Sequence, residues 1–189
     1  EPLSLTGRGV ILGFIDTGIR YTQEVFRNSS GGSRILSIWD QTISGQPPEG
    51  FLYGTEYGRE QIEEALLAET PRDIVPSWDT DGHGTAIASV AAGSMLDEGR
   101  AFVGAAPDSD IVVVKLREAK QYLRDYYILP EGVPAFSETD IVMAVKYLES
   151  FAVARERPVV ICLWLGSNFG SLTVSSALAR YLNKVARRR

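Results

Sequence analysis

The run Val10–Ile15 is short, apolar throughout and rich in β-branched residues, and it stops at Asp16-Thr17-Gly18. A strand with one wet face alternates apolar and polar side chains. A run with no polar position suits a strand covered on both faces. Arg34–Trp39, Asp110–Leu116 and Pro158–Leu163 read as three further strands of the same kind. Between them, Arg59–Glu69 carries apolar residues at helical spacing, and a helix built largely of Ala, Gly and Ser opens at His83 and runs to about Met95. Ser137–Arg155 is amphipathic, with Ser137 or Thr139 placed to cap its start. A last helix spans Thr173–Arg189. Asp40–Tyr57, rich in Gly, Pro and aromatics, reads as irregular, and Gly166 and Gly170 mark a loop. Strands alternating with helices predict βαβ units, and so an α/β fold: a parallel sheet with helices on both faces.

A chain of 189 residues has room for one sizeable core, so a single domain is expected. The net charge of -5 argues against a nucleic-acid partner, whose binding leaves a basic footprint. Arg187–Arg189 reads as the solvated end of a helix. No apolar run approaches the ~18 residues of a membrane helix. The single cysteine, Cys162, excludes an internal disulfide and reads as a small buried side chain. With one Cys and one His, a Cys/His zinc site is excluded, and neither a metal nor a cofactor is expected.

Two residues stand where chemistry is done. In parallel sheets the working groups gather at the carboxyl ends of strands, and Asp16 sits at such an end. The other reading is an aspartate that only caps a turn after a strand. His83, the only histidine, lies in Asp81-Gly82-His83-Gly84-Thr85, where flanking glycines permit close backbone approach. The positive end of the helix that follows favours a neutral, basic ring. Asp81 reads as a cap or turn residue. An acid on a strand end and a histidine opening a small-residue helix are two members of a Ser-His-Asp triad, in the chain order of subtilisin.

Gly9–Gly18 resembles the aspartate motif of the subtilisin-like serine proteases (subtilases), and Asp81–Gly93 resembles their histidine motif. Gly104-Ala105-Ala106-Pro107 with Ile111–Lys115 is similar to the family's segment leading into a central strand. Val160–Gly166 is similar to the strand that ends in a wall of the primary specificity pocket. There the family has a small Ser-Leu-Gly and this chain has Trp164-Leu165-Gly166. The resemblance implies Asp16 and His83 as catalytic residues, and Trp164, Leu165 and Gly166 as substrate-binding residues, with Trp164 narrowing the pocket. The position matching the family's calcium-ligating carboxylate is Val25, which cannot hold a hard cation. Arg34–Thr42, Pro47–Phe51, Tyr53–Tyr57, Leu123–Tyr127 and Pro158–Leu165 resemble the clostridial Csp-type germination proteases and related bacterial subtilases.

Nothing downstream reads Gly-Thr-Ser ahead of a small-residue helix, and Asn168 lies too early to stand for the family's oxyanion asparagine. The resemblance therefore implies residues 1–189 as the amino-terminal part of a catalytic domain, subtilisin-like and truncated before the oxyanion and nucleophile segments. Such a stretch is expected to be inactive alone and to self-associate through an exposed sheet edge. Three readings follow. The first is a serine endopeptidase acting on protein or peptide substrates. The second is a Csp-type pseudoprotease kept for sensing or partner binding during spore germination. The third is an unrelated α/β binding domain of flavodoxin-like type, which would place phosphate-cradling glycines where Asp16 stands. Compartment stays open: the resemblance implies a bacterial protein, spore-associated or secreted, while the single cysteine leans away from an oxidising one.

Overall fold

The computed structural model describes residues 5–94, 102–166 and 176–187. In chain order its main elements are β1 (Ile11–Asp16), β2 (Ile35–Asp40), β3 (Thr55–Gly58), α1 (Arg59–Leu67), α2 (Pro71–Ile74), α3 (His83–Ala92), β4 (Asp110–Lys115), α4 (Gln121–Tyr126), α5 (Glu138–Val153), β5 (Val159–Leu163) and α6 (Ala177–Ala186). The strands form one sheet in the order β3-β2-β4-β1-β5. The β2–β4, β4–β1 and β1–β5 pairings are parallel, as expected, and β1 is buried along its whole length.

Alternation along β1 serves two layers. Leu12 and Phe14 point into a core shared with Ile62 and Ala65 of α1 and Ala88 and Ala92 of α3. Ile11 and Ile15 point the other way, against Ile141, Ala144, Val145 and Leu148 of α5, with α6 packed over the same layer. Each fully buried Ile or Phe here contributes about 2 kcal/mol. Gly13 lets α5 come close, since a Cβ there would lie 2.6 Å from Leu148 Cδ1. The buried stripe of α3 is Gly84, Thr85, Ala88 and Ala92, so this slim helix lies tight on the strands.

One part of the sheet departs from the expectation of parallel strands. Thr55–Gly58, which overlaps the end of the stretch Asp40–Tyr57 read as irregular, pairs antiparallel with β2 as an edge strand. The preceding loop is held by aromatic packing: Trp39 lies 4.7 Å from Phe51 and 5.3 Å from Tyr147 between ring centres, and its Nε1–H donates to the Tyr53 carbonyl. β2 also carries a bulge, Ile35 and Ser37 facing successive residues of β4, which keeps both Ile35 and Ile38 in the α1–α3 layer.

The helices α1, α3 and α5 begin where the sequence places them, at Arg59, His83 and Glu138, while α3 stops at Ala92, short of Met95. Ser137 caps α5 by accepting from Thr139 N–H, and Ser176 caps α6. The short helices α2 and α4 were not expected. Met95, Asn168, Gly170, Thr173 and the last two arginines, named in the sequence analysis, lie outside the described residues.

At the amino ends of the strands, the buried Arg34 guanidinium donates to the carbonyls of Ala92, Ser109 (2.8 Å) and Val25 (2.9 Å). Desolvation lowers its pKa below the usual arginine value, against the pull of Asp108 and Asp110.

Candidate active site

β1 delivers Asp16 to the carboxyl end of the sheet, opposite Lys115 of β4. The chain then turns, and α3 begins over the same strand end. The result brings Asp16 and His83 together: Asp16 Oδ1 lies 2.7 Å from His83 Nδ1. The Asp16 side chain is 3% exposed and that of His83 39%. Asp16 Oδ1 also accepts the Thr17 N–H at 2.7 Å. An ionised carboxylate only accepts, so Nδ1 carries the proton and Nε2 is left as a base.

The His83 pKa lies above its ordinary 6.5. The Asp16 hydrogen bond is the largest cause. With the charges of Asp16, Asp81 and Asp79 it outweighs the opposing effect of burial. The helix end, expected to weaken the ring's hold on a second proton, does not set the direction of the shift: a direct bond to a carboxylate outweighs the weaker field of one helix terminus.

The turn before α3 holds two aspartates with different work. Asp81 Oδ1 accepts the His83 N–H at 3.1 Å, the bond of a turn aspartate to the residue two ahead, while Gly82 is the N-cap of α3. Asp79, unexposed, accepts from Thr17 Oγ1 and Gly82 N–H on Oδ1, and from Thr85 N–H and Thr85 Oγ1 on Oδ2. Burial pushes the Asp79 carboxyl up, but the bonds from Thr85, Gly82 and Thr17 together hold it below the usual range. Sequence reasoning missed Asp79. Its signal, an aspartate just ahead of a helix start, was present but shared with Asp81.

The three expected substrate-binding residues do not behave alike. Trp164 follows the strand position paired with Ile15 and is 65% exposed at the same end of the sheet as Asp16. Leu165 packs against the core layer of α5 and α6. Gly166 borders open space. Cys162, partly buried, has its thiol pushed up by burial and then by the charge of Asp16.

Among the described residues, no group of three or more His, Cys, Asp or Glu could hold a metal ion. Val25 packs against the α1–α3 core. No described helix is long and apolar enough to cross a membrane.

Among solved structures, the chain is similar to the Clostridium perfringens CspB protease, with a TM-score of 0.79 and 30% identity, covering 100% of this chain and 36% of that one. It also matches Sphericase, with a TM-score of 0.57 and 17% identity over 98% of this chain and 45% of that one, a likeness of fold alone. Among curated relatives, Subtilisin-like protease SBT3.6 of Arabidopsis thaliana is 25% identical over 209 residues, 90% of this chain and 27% of the relative. Subtilisin-like protease SBT2.1 of the same plant is 34% identical over 97 residues, 47% of this chain and 12% of the relative. The chain thus spans less than half the length of each of these proteins. The sequence profile of the subtilase family matches residues 7–187, a span that takes in β1, α3 and the Asp16–His83 contact between them, and the chain belongs to that family.

Proposed function

We propose that residues 1–189 are the amino-terminal part of a subtilase catalytic domain and carry the acid–base half of a serine endopeptidase site. The observation that supports this most is the 2.7 Å bond between Asp16 and His83 on the family's scaffold. Asp16 holds the Nδ1 proton and orients the ring. His83 Nε2 takes the proton of a serine hydroxyl as the serine oxygen bonds to the peptide carbonyl carbon. It then hands that proton to the leaving amine. These 189 residues hold no Gly-Thr-Ser segment, so serine and oxyanion donor belong to other sequence of the whole protein. Trp164, Leu165 and Gly166 border the side-chain pocket, and Trp164 favours slender residues at the cleaved position.

The test is hydrolysis of a peptide library. Residues 1–189 alone give none above background. The whole protein cleaves, and His83→Ala in it costs at least about three powers of ten. Robust serine-type cleavage by residues 1–189 alone overturns this reading.

A sensing or partner-binding role during spore germination is the second reading. Trp164, standing where the family carries a small residue, favours it, and the likeness to the CspB protease supports the germination setting. It requires that the whole protein, with Asp16 and His83 in place, cleaves nothing. Under either reading residues 1–189 self-associate through β5. Among the described residues this strand pairs with β1 alone, and Val160 is 55% exposed. Light scattering that shows a monomer at all concentrations removes that expectation.

A further inference from the structure

We infer that Asp79 and Thr17 form a positioning clamp that sets the Asp16–His83 distance. The pair joins side chains 67 positions apart, and His83 is held from its backbone, since its ring is partly in water. What fixes that backbone is the contact between the first turn of α3 and the end of β1. The Gly84 N–H donates to Thr17 Oγ1 at 3.0 Å, and Thr17 Oγ1 in turn donates to Asp79 Oδ1 at 2.9 Å. Thr17 also places its own N–H on Asp16. One hydroxyl therefore touches the residue after His83, while its backbone touches the carboxylate that His83 must meet.

A helix cap explains only part of Asp79. Capping needs the N–H groups of Gly82 and Thr85, and Asp79 has both. The bond to Thr17 does no capping, because Thr17 lies beyond the end of β1. Two further bonds close the network. The Arg20 N–H donates to Thr85 Oγ1, and Arg20 Nε donates to the Asp79 carbonyl. Asp79 has no exposure, and its two carboxylate oxygens accept four bonds, a satisfied buried network of the kind that specifies one geometry. Asp79 and Thr17 touch no substrate atom in this reading; they act through His83.

The inference rests on the proposed function only for its effect on catalysis, and its test does not use hydrolysis. His83 is the sole histidine, so its ring signals in 15N-labelled residues 1–189 are unambiguous. The charged groups around it are Asp16 from β1, Asp79 and Asp81 from the turn before α3, Arg20 from the turn after β1, and Lys115 from β4, whose Nζ lies on the Trp78 carbonyl. Thr17→Val removes the hydroxyl without changing charge. It should abolish the downfield Nδ1–H resonance and lower the His83 pKa by about half a unit, equal to about 0.7 kcal/mol. Thr17→Ser should restore both. Asp79→Asn should also abolish the resonance, which loss of a distant charge alone would not do. A folded Thr17→Val or Asp79→Asn protein with that resonance intact overturns the clamp. So does failure of both variants to fold, which would make Asp79 a residue of general stability. The endopeptidase reading fails separately, if His83→Ala leaves cleavage by the whole protein unchanged.

Discussion

Gly84 stands against Asp16 so closely that a Cβ at position 84 would lie 3.1 Å from Asp16 Oδ1 and would overlap the Gly18 carbonyl oxygen. The first turn of α3 can approach the end of β1 only because position 84 has no side chain. Gly84→Ala should therefore push the helix start off the strand, costing about 2 kcal/mol in stability. It should also lower the His83 pKa as the bond to Asp16 lengthens. Urea unfolding and ring titration read the two effects, and an unchanged His83 pKa would refute the link between them.

The raised His83 pKa fixes the sign of a pH effect. The folded protein holds the imidazole proton more tightly than the unfolded chain. Its stabilising contribution is full below the unfolded value of about 6.5 and is lost as pH rises through the folded pKa. Thermal scans across that window should show a decline that Asp16→Asn and His83→Gln both flatten. A decline that persists in both variants must come from another group.

Arg34 supplies donors to four carbonyls from three parts of the chain, those of Val25 and Arg27, of Ala92 and of Ser109. Arg34→Met keeps the apolar stem and removes those buried donors, so a loss on the order of 3 kcal/mol is expected. Arg34→Lys should recover only part of it, because an ammonium cannot reproduce the planar fork. Denaturant midpoints of the three proteins decide the matter, and a loss under about 1 kcal/mol for Arg34→Met contradicts the assignment.

Asp140, in the first turn of α5, ties that helix to the segment after β4 and to the aromatic loop. Its carboxylate takes two bonds from Arg117, both 2.9 Å, and one from the Tyr53 hydroxyl at 2.8 Å. Asp140→Ala should cost about 2 to 3 kcal/mol, less than for a fully buried pair because the Arg117 side chain keeps 33% of its surface in water. The Tyr53 hydroxyl should titrate at lower pH in the variant. Its raised pKa comes first from burial, which stays, and then from the bond and charge of Asp140, which go. An unmoved Tyr53 titration in ultraviolet difference spectra would contradict this.

Much of the fold could be read from the chain because local pattern carried it. The polar-free run ending at Asp16 required cover on both faces, and it received α3 on one and α5 on the other. The small residues after His83 required a helix lying close to the sheet, and α3 buries its Gly and Ala positions there. β3 was not legible. Thr55–Gly58 is too short to show alternation, and it is a strand because the open side of β2 offers it partners. The candidate pair divides in the same way. Asp16 and His83 were visible as residue types in their settings, whereas Asp79 looked like any turn aspartate. Its bond to Thr17 spans 62 positions, and no local pattern encodes a contact of that separation. The direction in which the His83 pKa moves was also a tertiary matter. Sequence shows the helix it opens, but only the folded chain brings a buried carboxylate to 2.7 Å, and at that distance the carboxylate outweighs the helix end.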